Sequence, residues 1–123
     1  MDKTFFVIGA LSAGLSVLLG AFGAHALRDR LTPQLLETFE TGVRYEIYHA
    51  FAILVVAFAL TRWSSNFISY AGWLFIIGTI IFSGSLYLLA LTGTRWLGAI
   101  TPLGGVAFII GWILLAVGVW QSQ

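Results

Sequence analysis

The sequence predicts an all-α integral membrane protein, a four-helix bundle running up-down-up-down, with its second helix extended by an amphipathic N-terminal part. Three observations carry that prediction. Charged residues make up 9% of the chain and hydrophobic ones 59%, against about 25% and 45–50% in an ordinary soluble domain. Mean hydropathy is +0.97. Long apolar runs follow one another with breaks of only a few residues, and a spanning helix needs about 20 such residues. The length suits a single membrane domain, 1–123, without room for a separate catalytic unit.

The first span is residues 5–27. Met1-Asp2-Lys3-Thr4 leads straight into it, and its apolar run is longer than a signal peptide's core, so it reads as a retained helix. The second is placed at about 41–61, although its strictly apolar part, 47–60, is only 14 residues long. Thr32 can cap a helix and Pro33 suits a first turn. From there Leu35, Leu36, Phe39 and Val43 recur at helical spacing among Glu37, Glu40 and Arg44. Residues 33–46 therefore read as an amphipathic interfacial segment continuous with the span. The third and fourth spans are 67–91 and 97–120, with Pro102 inside the last, near its first turn. Such short breaks force antiparallel neighbours. Trp63, Trp96 and Trp120, with Tyr45 and Tyr48, fall near the expected span ends, where aromatic belts form.

Orientation follows from Lys and Arg alone. One side holds Lys3 and Arg62, and the other holds Arg28, Arg30, Arg44 and Arg95. The count places loops 28–46 and 92–96 in the cytoplasm and both termini outside.

Packing in lipid favours small residues that let backbones approach. Gly9, Ala13, Ser16, Gly20 and Ala24 form one ridge on the first span, with Gly23 beside it. Thr101, Gly104, Gly105, Ala107, Gly111 and Gly118 form another on the fourth. Both read as bundle-facing surfaces, with a homodimer face as the alternative.

Ionisable groups inside a membrane are costly and point to function by default. The third and fourth spans hold none in their interiors. The candidates gather around His25, at the end of the first span, and His49, at the start of the second, with Glu46, Arg44 and Tyr45 nearby. An antiparallel hairpin is expected to bring the two histidines to one depth near the interface. Haem held by both histidines is one reading, although a haem needs them deeper in the bundle. A metal site is another. Glu46-x-x-His49 has the spacing of di-iron bundles, but those use the motif twice with two further carboxylates. A proton or small-solute path through His25, His49 and Glu46 is a third, with only Thr79, Ser83, Ser85, Tyr87 and Thr101 to continue it. The alternative is an interfacial network tying the first loop to the bundle, in which Arg44 pairs with Glu40 and His49 bonds Tyr45 or the first span.

No enzyme motif is present. There is no phosphate loop and no nucleophile beside a base. The chain has no cysteine and so no thiolate or Cys-bound metal. It has no basic patch for nucleic acid, its net charge being +1.

Gly20-Ala21-Phe22-Gly23-Ala24-His25-Ala26-Leu27, then Phe39-Glu40-Thr41-Gly42-Val43-Arg44-Tyr45 and Tyr48-His49-Ala50, resemble the YgdD/YwdK-type family of small bacterial inner-membrane proteins. Phe82-Ser83-Gly84-Ser85-Leu86-Tyr87 and Thr101-Pro102-Leu103-Gly104-Gly105 match the same pattern. The resemblance covers nearly the whole chain, and related proteins occur in eukaryotes. It implies four spans and a bacterial plasma-membrane location, and it supplies no activity. Gly20, Gly23, His25, Tyr45, His49, Ser83, Gly84, Tyr87, Pro102 and Gly104 stand at its motif positions.

The expected function is therefore non-enzymatic, without a cofactor: an accessory or assembly subunit, or a self-associating bundle. Its partners are the lipid bilayer and a homo-oligomer or larger membrane complex. The alternative is binding or transport of a proton, small lipophile or haem at His25 and His49.

Overall fold

A computed structural model describes residues 2–122. It contains four long helices: α1 (Asp2–His25), α2 (Pro33–Arg62), α3 (Asn66–Thr92) and α4 (Thr101–Gln121). A 3-10 turn, Arg95–Ala99, leads into α4. All four are long and apolar enough to cross a membrane. The described residues contain no strand.

The helix boundaries follow local chemistry. Thr32 Oγ1 accepts the Leu35 N–H at 3.2 Å, and Pro33 fills the first helical position, where a missing N–H costs nothing. Ser65 Oγ accepts the Phe67 N–H at 3.1 Å and starts α3. Gly93 ends α3 in the left-handed conformation, φ 72°, which glycine adopts without a Cβ clash. Pro102 sits in the first turn of α4.

Consecutive helices pack as antiparallel neighbours, α1 on α2, α2 on α3 and α3 on α4. α2 touches α4 at few points, and among the described residues α1 and α4 form no packed interface. The bundle is thus a rhombus, with α2 and α3 as its central pair and α1 and α4 at opposite corners. Phe5 bridges α1 to α3. It is fully buried, lies over Gly72, and meets the Trp73 ring edge-on at 5.2 Å.

Where helices meet, large side chains sit on glycines. Phe108 of α4 covers Gly78 of α3, and Phe75 of α3 covers Gly111 of α4. Tyr87 of α3 covers Gly42 of α2, and Phe39 of α2 covers Gly23 of α1. A Cβ on Gly104 would lie 2.5 Å from the Phe82 backbone nitrogen. This is the close approach that small residues allow in lipid.

Of the residues expected to pack, Gly9, Gly23, Gly104 and Gly111 are buried, and Ala13, Gly20 and Gly105 are partly so. Ala24 is a correction. It is exposed, because the face of α1 turned to α2 runs through Gly20 and Gly23, which meet Val43 and Phe39.

α2 is a single helix, and its first half is amphipathic. Phe39 and Gly42 are buried while Glu37, Glu40 and Arg44 are exposed. That half lies alongside α1 and α3, as the contacts of Phe39 with Gly23 and of Gly42 with Tyr87 show.

Candidate functional site

α2 carries two buried polar side chains one turn apart, Glu46 and His49. Glu46 is thirteen residues into α2, about 20 Å from its start at 1.5 Å per residue. The two side chains turn toward opposite corners of the bundle.

His49 faces α4. Its ring stacks on Phe108 with centroids 3.5 Å apart and lies 5.6 Å from Phe75. Nδ1 is 2.9 Å from the Tyr45 carbonyl, and Trp112 Nε1 donates to Nε2 at 3.1 Å. A carbonyl only accepts and an indole N–H only donates, so the ring is fixed in its Nδ1–H tautomer. Both nitrogens are occupied and one face is covered.

Glu46 faces α1 and α3. Tyr87 O–H donates to Oε1 at 2.6 Å, and Ser12 Oγ donates to Oε2 at 3.0 Å. Ser83 Oγ donates to the Gly42 carbonyl at 2.7 Å and fixes α3 against α2 just beside this pair. Among the described residues no basic side chain pairs with the Glu46 carboxyl group. Ser12 is near the middle of α1, and Thr79 is at the middle of α3. α1 and α3 make few direct contacts, and a groove of about 340 Å³ opens between them toward the outer surface. Ile8, Leu11, Ile53, Ile76 and Ile80 wall it, and its polar lining is Ser12, Glu46 and Thr79. The walls Leu11 and Ile80 are exposed at its rim.

His25 does not join this site. It is exposed at the C-terminal end of α1. The expected meeting with His49 fails because the 33–46 half of α2 already runs beside α1. Gly23 is level with Phe39, which leaves His49 ten residues, or about 15 Å, further along. Arg44 is exposed and donates to Thr41 Oγ1 at 3.1 Å in place of the expected Glu40 pair. Tyr45 contributes its carbonyl to His49, and its ring packs on Phe82 with centroids 4.7 Å apart. Tyr45 and Tyr48 lie well inside α2, away from its ends, so neither belongs to an aromatic belt at a span end. Trp63, Trp96 and Trp120 do lie at or beyond helix ends.

The residues do not fit a haem between two histidines. His49 has no free ring nitrogen, and His25 is about 15 Å or more away along the bundle axis. Nor do they fit a dinuclear metal site: Glu46 and His49 diverge, and the described residues hold no cluster of three His, Cys, Asp or Glu side chains. Ser12, Phe108 and Trp112 complete the two sites and were absent from the candidates read from the sequence, and Thr79 was named there only as a continuation of a proton path. Trp112 is 63 residues from His49 in the chain, and helical periodicity carries no signal of which residues on separate helices share a level. Tyr87 and Ser83 had one, in the motif run Phe82-Ser83-Gly84-Ser85-Leu86-Tyr87.

Residues 19–105 match the model of a family described as a protein of unknown function, DUF423. The chain belongs to that family. The match takes in both polar side chains of α2 together with Ser83 and Tyr87, and stops short of Trp112. The chain is 50% identical over 116 residues to the UPF0382 membrane protein YwdK of Bacillus subtilis, covering 94% of each protein. It is 41% identical over 125 residues to a UPF0382 membrane protein of Haemophilus influenzae, covering 100% of this chain and 98% of that one. It is 40% identical over 124 residues to the UPF0382 inner membrane protein YgdD of Escherichia coli, covering 95% and 89%. No solved structure matches. These relatives are named as membrane proteins and carry no named activity, so the four apolar helices belong to a membrane protein of uncharacterised function.

Proposed function

We propose that this protein is a non-enzymatic binding protein of the bacterial plasma membrane, one that takes a lipophilic molecule from the lipid phase into the groove between α1 and α3. The observation that carries this reading is Glu46. A carboxyl group buried at the level of the apolar midsections of α1 and α3 is costly to keep in a membrane. It lines a cavity of about 340 Å³, within the roughly 300–1,000 Å³ range of small-molecule sites. The groove opens sideways, where only lipid or a lipid-dissolved molecule would enter. Lys and Arg distribution supports an orientation with the Arg28, Arg30 and Arg95 end in the cytoplasm and both termini outside.

The test is purification from membranes in mild detergent, followed by mass spectrometry of retained small molecules. The wild type is expected to carry a species that Ile80→Trp, which fills the groove from its rim, does not. Equal content in both proteins would contradict the reading.

A second reading is self-association or assembly with other membrane proteins. The exposed face of α2 favours it: Glu37, Glu40 and Arg44 are followed by exposed Tyr45, Tyr48 and Phe51 on one stripe. Arg44 on one copy would reach Glu40 on another. Cross-linking of Tyr48→Cys pairs in native membranes supports this reading if dimers form, and monomers alone contradict it.

A further inference from the structure

We propose that the occupant of the groove is a cationic amphiphile, a protonated primary or secondary amine on an apolar tail. This rests on the reading of the groove as a binding site and adds the chemistry of the ligand.

The lining selects for it in three ways. First, Glu46 is an acceptor with capacity left over. Its two oxygens carry about four lone-pair positions, and here Tyr87 and Ser12 fill one on each oxygen. Thr79 spends its proton on the Phe75 carbonyl at 2.8 Å, so its hydroxyl presents only lone pairs to the groove. An ammonium group carries donors and no acceptor, which is the complement of this lining. A carboxylate or phosphate head would meet acceptors where it needs donors.

Second, among the described residues the carboxyl group has no basic partner. Its two donors are neutral hydroxyls. Each cationic or titratable neighbour on α2 is engaged elsewhere: Arg44 bonds Thr41 at the outer surface, and His49 is held by Tyr45 and Trp112 on the α4 side. The facing stretches of α1 and α3 contribute Ser12, Thr79, Ser83 and Tyr87 and no base. A cation brought in with the ligand would supply the missing partner, in surroundings where charge pairs are weakly screened.

Third, the walls are aliphatic, with Ile8, Leu11, Ile53, Ile76 and Ile80 around the cavity. They suit an alkyl or alicyclic tail. No aromatic ring lines the groove, so it lacks the cage that quaternary ammonium groups favour. Recognition falls to N–H donors, which a quaternary nitrogen does not have.

The experiment uses the full chain in phosphatidylcholine nanodiscs, with dodecylamine, dodecyltrimethylammonium and dodecanol as probes and occupancy read by native mass spectrometry. Dodecylamine is expected to bind roughly tenfold or more tightly than the other two, the worth of a hydrogen bond to a charged group. That preference should vanish in Glu46→Gln. Should Glu46→Gln fail to fold, Thr79→Val keeps the carboxyl group but removes the second acceptor of the lining and should narrow the preference for the amine, and Ile80→Trp should remove binding of all three. Equal binding of amine and alcohol by the wild type, lost in Ile80→Trp, would overturn the cationic assignment and leave the groove reading standing. If none of the probes binds at any concentration the nanodisc tolerates, both fall.

Discussion

The two corners of the rhombus solve the same problem, a polar side chain on α2 inside an apolar bundle, in opposite ways. At the α4 corner His49 is fully engaged. One nitrogen serves the Tyr45 carbonyl, the other the Trp112 indole, and Phe108 covers the ring. The α3–α4 interface around it is closed by aromatic rings seated on Gly78 and Gly111. At the α1 corner Glu46 receives only two hydroxyl donors, and the helices beside it separate into a groove. A saturated polar group in a dry interface holds helices together. An unsaturated one beside a cavity is available to something that is not protein.

Breaking the closed corner should have the largest effect on stability. Gly104→Val would drive a branched side chain into the Phe82 backbone, where neither helix can yield, at a cost of about 3 kcal/mol or more. It should show as early unfolding in detergent denaturation, with loss of the folded gel-filtration peak. His49→Ala removes a ring packed between Phe75 and Phe108 and leaves the Trp112 N–H without its acceptor. A loss of about 2–4 kcal/mol is expected from the cavity and the lost hydrogen bond, with ligand retention unchanged at the remaining folded fraction.

The open corner should behave the other way round. Tyr87→Phe deletes one donor to Glu46 and should cost about 1 kcal/mol, while altering ligand content more than that loss of stability explains. Gly84→Ala lies at the far end of the scale. A Cβ there meets nothing within 4 Å, so the helix gains up to about 1 kcal/mol of propensity and should not lose stability. His25→Ala, an exposed position, should change the melting temperature by no more than a surface substitution does, about 0.5 kcal/mol. A large drop would restore His25 to the core network.

The sequence carried the four helices because hydropathy and caps are local properties. Thr32-Pro33 and the alternation of Leu35, Leu36, Phe39 and Val43 with Glu37, Glu40 and Arg44 marked α2 as longer than its apolar run. The depth of its polar residues was not legible. Residues 33–46 read as interfacial, which put His49 near the surface beside His25. In the fold that half of α2 lies against α1 and α3, so Glu46 and His49 sit deep and face opposite corners. That outcome depends on the level at which four helices meet, set by which ring sits on which glycine. Phe39 on Gly23 and Tyr87 on Gly42 decide it, and neither pairing leaves a trace in the period of one helix. Glu46 was nevertheless among the candidates because it stands one turn before His49, in the Glu46-x-x-His49 spacing.

The accessibility of Glu46 from the lipid phase decides between the two corners. A lipid-soluble carbodiimide attacks protonated carboxyl groups and leaves a stable acylurea readable by peptide mass spectrometry. Applied to the protein in nanodiscs at mildly acidic pH, it is predicted to modify Glu46 in the wild type, to do so far less in Ile80→Trp, and to be slowed by dodecylamine. Glu46 left intact while Glu37 and Glu40 react would contradict an open groove and make both corners equally structural.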